Sequence, residues 1–91
     1  MRKGGDGMKY ELEPKYDKAK SFYRKAHVLV EGDKKTLISY DTAVCYIDGD
    51  GLHRLWDEYS STTMRHVNEF ALQNGLGSVG KANWDKMKIE V

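Results

Sequence analysis

One cysteine, one proline and no long apolar run are what this sequence offers of three informative features. A lone Cys45 excludes an internal disulfide, and its neighbours Ala43, Val44, Tyr46 and Ile47 suit a small core side chain better than a reactive thiol. A reducing, cytoplasmic setting is therefore expected. No stretch approaches the roughly 20 apolar residues that span a bilayer, and no apolar segment of the kind a secretory signal needs opens the chain. A membrane partner is not expected. Charge of one sign is lacking too. Fifteen Lys and Arg against fourteen Asp and Glu leave a formal +1, too little for the broad positive field that drives non-specific binding to phosphate backbones.

What is present describes a chain that folds. Forty per cent of the 91 residues are hydrophobic and 11% aromatic, enough to bury one apolar core and too few residues for two. A single domain over residues 8–91 is expected, preceded by a disordered leader, residues 1–7. Lys3-Gly4-Gly5 can be encoded by a stretch containing a bacterial ribosome-binding sequence at a suitable distance before Met8, so translation is expected to start naturally at Met8.

Residues 23 to 31 alternate, with Ala26, Val28 and Val30 on one side and Lys25, His27, Leu29 and Glu31 on the other, which is the period of a strand. Gly32-Asp33 reads as a turn. Residues 35–40 and 43–47 are rich in Thr, Ile, Tyr and Val and form one bent strand or two short ones around Asp41-Thr42. Asp48-Gly49-Asp50-Gly51 is a hairpin signal, because these residues tolerate positive φ, and residues 52–56 return as a strand. After Ser60-Ser61-Thr62-Thr63, whose hydroxyls can cap a first helical turn, Met64, Val67, Phe70, Ala71 and Asn74 fall on one helical face, closed by Gly75. Residues 81–87 read as a short helix with an N-cap at Ser78, although Met87, Ile89 and Val91 also alternate.

The fold class is thus α+β: an antiparallel meander of three or four strands, packed by one main helix in the C-terminal half and a short terminal helix. Its expected core is Val28, Val30, Leu37, Val44, Tyr46, Leu55, Met64, Val67, Phe70 and Ala71.

Several patterns look chemical. Gly75-Leu76-Gly77-Ser78-Val79-Gly80-Lys81-Ala82 nearly matches a phosphate-binding loop, but Ala82 stands where Ser or Thr must hold magnesium, and the segment follows a helix rather than a strand. It reads as a helix connection. Asp48-Gly49-Asp50-Gly51 begins like a calcium loop, yet Tyr59 occupies the position of the closing glutamate. His27, His53, His66 and Cys45 have no ligand spacing that defines a metal site. No pattern for a catalytic residue or a cofactor is found, and a non-enzymatic role is expected.

Two clusters of binding residue types remain. Arg54, Trp56, Tyr59, Arg65 and His66 lie within thirteen positions around the strand-to-helix junction, and Arg65 and His66 fall off the stripe assigned to the core. Arginine and aromatics dominate protein-binding hot spots, so these five are the candidate partner contacts. Lys15, Lys18, Lys20, Arg24 and Lys25, interleaved with Tyr16, Phe22 and Tyr23, are the candidate nucleic-acid contacts. Homodimerisation through a sheet edge is a further option.

Three stretches, Ser21-Phe22-Tyr23-Arg24-Lys25-Ala26-His27-Val28, Leu37-Ile38-Ser39-Tyr40-Asp41-Thr42-Ala43-Val44, and Tyr59-Ser60-Ser61-Thr62-Thr63-Met64-Arg65-His66-Val67-Asn68-Glu69-Phe70, resemble an uncharacterised family of small proteins and domains from gut bacteria and their phages. The resemblance carries no established activity. It implies a bacterial host cell, and small phage proteins often block host factors, so the first expectation is a module that binds a host protein and inhibits a defence factor in the manner of anti-CRISPR proteins. The second is a small nucleic-acid-binding or transcription-regulating domain.

Overall fold

A computed structural model describes residues 8–16 and 25–90. The expected leader, residues 1–7, lies outside the described residues, as do Lys18, Lys20 and Arg24. The described chain forms five strands, β1 (Met8–Glu11), β2 (Ala26–Glu31), β3 (Lys34–Ser39), β4 (Thr42–Asp48) and β5 (Gly51–Arg54), then two helices, α1 (Ser61–Gln73) and α2 (Gly80–Lys86). Each strand pairs antiparallel with its sequence neighbour, in the order β1-β2-β3-β4-β5. The α+β meander is as expected, with five strands rather than three or four.

The two extra boundaries have different causes, one local and one from pairing. Residues 35–47 are two strands because Tyr40 and Asp41 both adopt positive φ, 50° and 72°. Positive φ at both central residues is the turn whose twist matches a hairpin. At the far end of the sheet, β1 has only four residues and becomes a strand by pairing with β2, from Met8↔Val30 to Glu11↔His27. The Asp48–Gly51 hairpin forms as expected, its turn held by the Asp50 N–H donating to Asp48 Oδ1 at 2.8 Å.

Alternation sends Val28, Leu37, Cys45 and Arg54 to one face, in register across four strands, and α1 covers that face with Met64, Val67, Phe70 and Ala71, all buried. Tyr46, expected in the core, lies half-buried on the opposite face. The pairing shifts between Leu37 and Ile38, so that Leu37 opposes Cys45 while Ile38 opposes Ala43. Val44 is the inserted residue of this bulge, which re-phases the strand and lets Val44 and Cys45 both turn inward. Burial pushes the Cys45 thiol far up, as suits an inert core side chain. Val30 and Leu55 are likewise only partly buried, whereas Leu12, Val79 and Trp84 join the core.

The α1 helix starts where Ser60 Oγ accepts the Thr63 N–H at 3.2 Å and ends in a Schellman motif. There the Gly75 N–H donates to the Leu72 carbonyl and Leu76 N–H to that of Ala71, with Gly75 at φ 80°. The expected Ser78 cap does not form on α2. Asn68 of α1 reaches across instead, its Oδ1 accepting the Val79 and Gly80 N–H groups at 2.7 and 3.2 Å. Two amides of the near-phosphate-loop are thereby engaged by a side chain. Beyond α2, Ile89 pairs in parallel with Arg54, and the Glu90 N–H donates to the Arg54 carbonyl at 2.8 Å.

Candidate interaction surface

The fold disperses the five expected partner contacts. Arg54 is 6% exposed, and its guanidinium works inward. Nε donates to the Trp56 carbonyl at 2.6 Å, Nη1 to that of Trp84 at 2.8 Å and Nη2 to that of Glu58 at 3.3 Å, with Cζ 4.6 Å from the centre of the Trp84 ring. Trp84 Nε1 donates to the same Glu58 carbonyl at 3.0 Å. Arg54 and Trp84 together fasten the segment after β5 to α2.

His66 is wholly buried, contrary to its expected place off the core stripe. Its Nδ1 lies 2.8 Å from Ser39 Oγ, which is 3.3 Å from Thr63 Oγ1, a polar knot between β3 and α1. The buried arc of α1 is simply wider than its apolar stripe, extending through Thr63, His66 and Glu69. Trp56 is half-buried against the core. Of the five, Tyr59, 41% exposed with Lys81 Nζ 5.1 Å from its ring centre, and Arg65 are the two that are exposed. Of the nucleic-acid candidates within the described residues, Lys15 and Lys25 are both exposed, Lys25 with its Nζ 5.8 Å from the Tyr40 ring centre.

A different surface emerges at the other end of the sheet. Met8, Tyr10 and Tyr16 are 62%, 38% and 65% exposed, and β1 is an outer strand with no described strand on its far side. Sequence reasoning missed it because Met8, Tyr10 and Leu12 alternate over too short a span to stand out. The segment that follows is held firmly. The Leu12 N–H donates to the Ala26 carbonyl at 2.8 Å, and Leu12 is buried. The buried Glu69 carboxylate of α1 then accepts the Lys15 N–H at 2.9 Å and the Tyr16 N–H at 2.9 Å, while Gln73 Nε2 donates to the Glu13 carbonyl at 2.7 Å. These bonds define a cleft of about 320 Å³ lined by Tyr10, Glu11, Glu13, Pro14, Lys15 and Gln73. Tyr10 and Pro14 give it apolar walls, and Glu11, Glu13 and Lys15 bring charges of both signs to its rim.

The face of the sheet away from α1 carries a second constellation. His53 stacks on Tyr46, ring centres 4.5 Å apart, and sits between two carboxylates: Nδ1 is 2.6 Å from Glu90 Oε2 and Nε2 2.9 Å from Asp48 Oδ1. Tyr46 donates its hydroxyl to Glu90 Oε1 at 3.2 Å. Glu90 first, then Asp48, raise the His53 pKa; the His53 hydrogen bond lowers that of Glu90; and the Asp50 N–H, then His53, lower that of Asp48. This latch pins the C-terminal segment to β5. Among the described residues no group of three or more His, Cys, Asp or Glu is placed to hold a metal.

The latch has a signed pH dependence. The His53 contribution is complete below roughly pH 6.5, the ordinary imidazole midpoint, and is lost as pH rises through its higher folded value. The carboxylate contributions are complete above roughly pH 4 and are lost as pH falls through their lowered values. Attachment of Glu90 should therefore be tightest in the weakly acidic window between them. An NMR titration of the His53 imidazole and the Glu90 amide checks this, with His53→Gln expected to abolish the alkaline limb.

No helix among the described residues is long and apolar enough to cross a membrane. A family model described as a family of unknown function (DUF8033) matches residues 10–86. No curated protein and no solved structure matches the chain.

Proposed function

We propose that this chain, which belongs to the family of unknown function DUF8033, acts as a non-enzymatic protein-interaction module through its β1 end. The observation that carries the reading is the exposed Met8, Tyr10 and Tyr16 beside an outer strand and a cleft. Tyrosines held in place lose little conformational freedom on binding and are enriched at the centres of interfaces. Tyr16 is held in this way, by the bond from its backbone N–H to Glu69. The resemblance to small proteins of gut bacteria and their phages supports a mobile-element origin and a host protein as partner, with inhibition of a defence factor as the consequence.

The test is capture from bacterial lysate by the immobilised chain, quantified by mass spectrometry against a Tyr10→Ser/Tyr16→Ser variant and a Tyr59→Ser control. Wild type and the control should retain the same protein, and the double variant should lose it by about tenfold or more, the order expected when two hot-spot aromatics are truncated. Equal retention by all three proteins overturns the assignment of the surface. Capture that disappears on nuclease treatment would transfer the function to nucleic acid and to Lys15 and Lys25.

A further inference from the structure

We infer that Tyr40, at the tip of the hairpin joining β3 and β4, is a partner-contact residue that the chain keeps at a cost to its own fold. The inference rests on the protein-interaction reading and extends the surface beyond the β1 end.

Ser39 pairs with Thr42, so Tyr40 and Asp41 are the central residues of a two-residue loop, and both hold positive φ, 50° and 72°. In that region a Cβ crowds the following carbonyl oxygen, and glycine, asparagine and aspartate are the residues that take such positions. Asp41 conforms. Tyr40 does not, because its side chain has no short polar group with which to bond the local backbone in compensation. The neighbouring hairpin shows the alternative within the same chain. Glu31 pairs with Lys34 there, and the first residue of that two-residue loop is Gly32, at φ 62°.

The ring gives the fold little in exchange. It is 49% exposed. His66 lies beneath it with ring centres 5.8 Å apart and planes tilted by 36°, and Lys25 Nζ is 5.8 Å from its centre, near the limit at which a ring holds a cation. Lys25 is itself exposed. Among the described residues the Tyr40 hydroxyl has no hydrogen-bond partner. The backbone below the ring, by contrast, is fixed: the Tyr40 N–H donates to the Lys25 carbonyl at 2.9 Å and ties the tip to the start of β2. A tyrosine anchored at its base, with half its ring outside and its hydroxyl unengaged, offers the large and already ordered contact that the centres of interfaces use.

Its place in the fold joins it to the surface proposed above. Tyr40 rests on His66, and the Tyr16 N–H is held by Glu69, three residues further along α1. Residues at that spacing are neighbours on a helix, so these two exposed tyrosines stand beside one turn of α1. The partner that fits is a protein surface with a pocket for the phenol ring and a polar group to meet its hydroxyl.

The experiment measures thermal unfolding and partner capture on the same variants of the full chain. Tyr40→Asn suits the positive φ and should raise Tm by about 5 °C while lowering capture from bacterial lysate by about tenfold. Asp41→Gly eases the second position and leaves the ring, so Tm should stay at or above the wild-type value with capture unchanged. Hydroxyl-radical footprinting should show Tyr40 protected in the captured complex and reactive in the free chain. A lower Tm in Tyr40→Asn would show that the ring serves the fold, and wild-type capture by that variant would show that it serves no partner; either result overturns the inference. Loss of capture in Tyr40→Asn with retention in Tyr10→Ser/Tyr16→Ser would move the surface from β1 to the hairpin tip, whereas the reverse leaves β1 standing and removes Tyr40. A wild-type chain that captures no protein overturns both readings.

Discussion

Arg54→Ala is expected to lower the unfolding free energy by about 3 kcal/mol, which for a chain of this size is roughly 15 °C in Tm. The guanidinium occupies a site where three carbonyls, those of Trp56, Glu58 and Trp84, converge, and alanine leaves them facing an apolar space. Each unsatisfied buried acceptor costs on the order of 1 to 3 kcal/mol. The Glu58 carbonyl keeps its bond from Trp84 Nε1 and the Trp84 carbonyl its bond from the Met87 N–H at 3.2 Å, so the Trp56 carbonyl is the acceptor left without a partner, while the other two lose a charge-assisted bond. Stacking on Trp84 is lost as well. Arg54→Lys should recover little of this, since an ammonium is a point donor and cannot span three acceptors as a planar fork does. Urea titration followed by tryptophan fluorescence reads both consequences: a lower midpoint, and a red-shifted native spectrum as Trp84 is exposed. A loss below about 1 kcal/mol would show that the carbonyls find other donors and that Arg54 is not the fastener of α2.

The second large effect is expected at Glu69. Glu69→Ala removes the acceptor of the Lys15 and Tyr16 N–H groups from inside the protein and should destabilise by about 2 to 4 kcal/mol, the range for breaking charge-assisted hydrogen bonds at a buried site. The functional consequence should exceed the thermodynamic one. With its anchor gone, Tyr16 no longer has a fixed position beside the cleft, and partner capture should fall to the level of the Tyr10→Ser/Tyr16→Ser variant. Glu69→Gln keeps one acceptor oxygen and should sit between the two. Hydrogen exchange separates these effects: in Glu69→Gln the amides of residues 15 and 16 should exchange far faster while β3 and β4 remain protected. Unchanged protection at 15 and 16 would mean that the segment is held by something other than Glu69.

Both residues show where reading the chain stops. Arg54 and His66 were expected at a surface because arginine and histidine usually are, and because His66 lies off the apolar stripe of α1. The packing of α1 on the sheet buries His66, and the loop after β5 together with α2 encloses Arg54, two carbonyls coming from the loop and one from Trp84 of α2. Glu69 carries no sequence signal at all, since its partners are backbone amides more than fifty residues earlier. β1 went unseen for a similar reason. Four residues alternating around two charges become a strand when β2 lies alongside, and that neighbour is fifteen residues further on.

The local elements were legible. Glycine and aspartate at the Asp48–Gly51 turn, hydroxyls before α1 and glycine after it act within a few residues, through φ preferences and hydrogen bonds that need no distant partner, and α1 and the last hairpin stand where those residues put them. The period of two in β2 likewise names its buried face, Ala26 and Val28. Tertiary structure decided the rest: the bulge at Val44 that turns Tyr46 outward, the interior fate of Arg54, His66 and Glu69, and the outer position of β1 with its tyrosines. Those outcomes depend on which segments meet across the fold, and contacts between residues far apart in sequence leave no trace in the periodicity of either one.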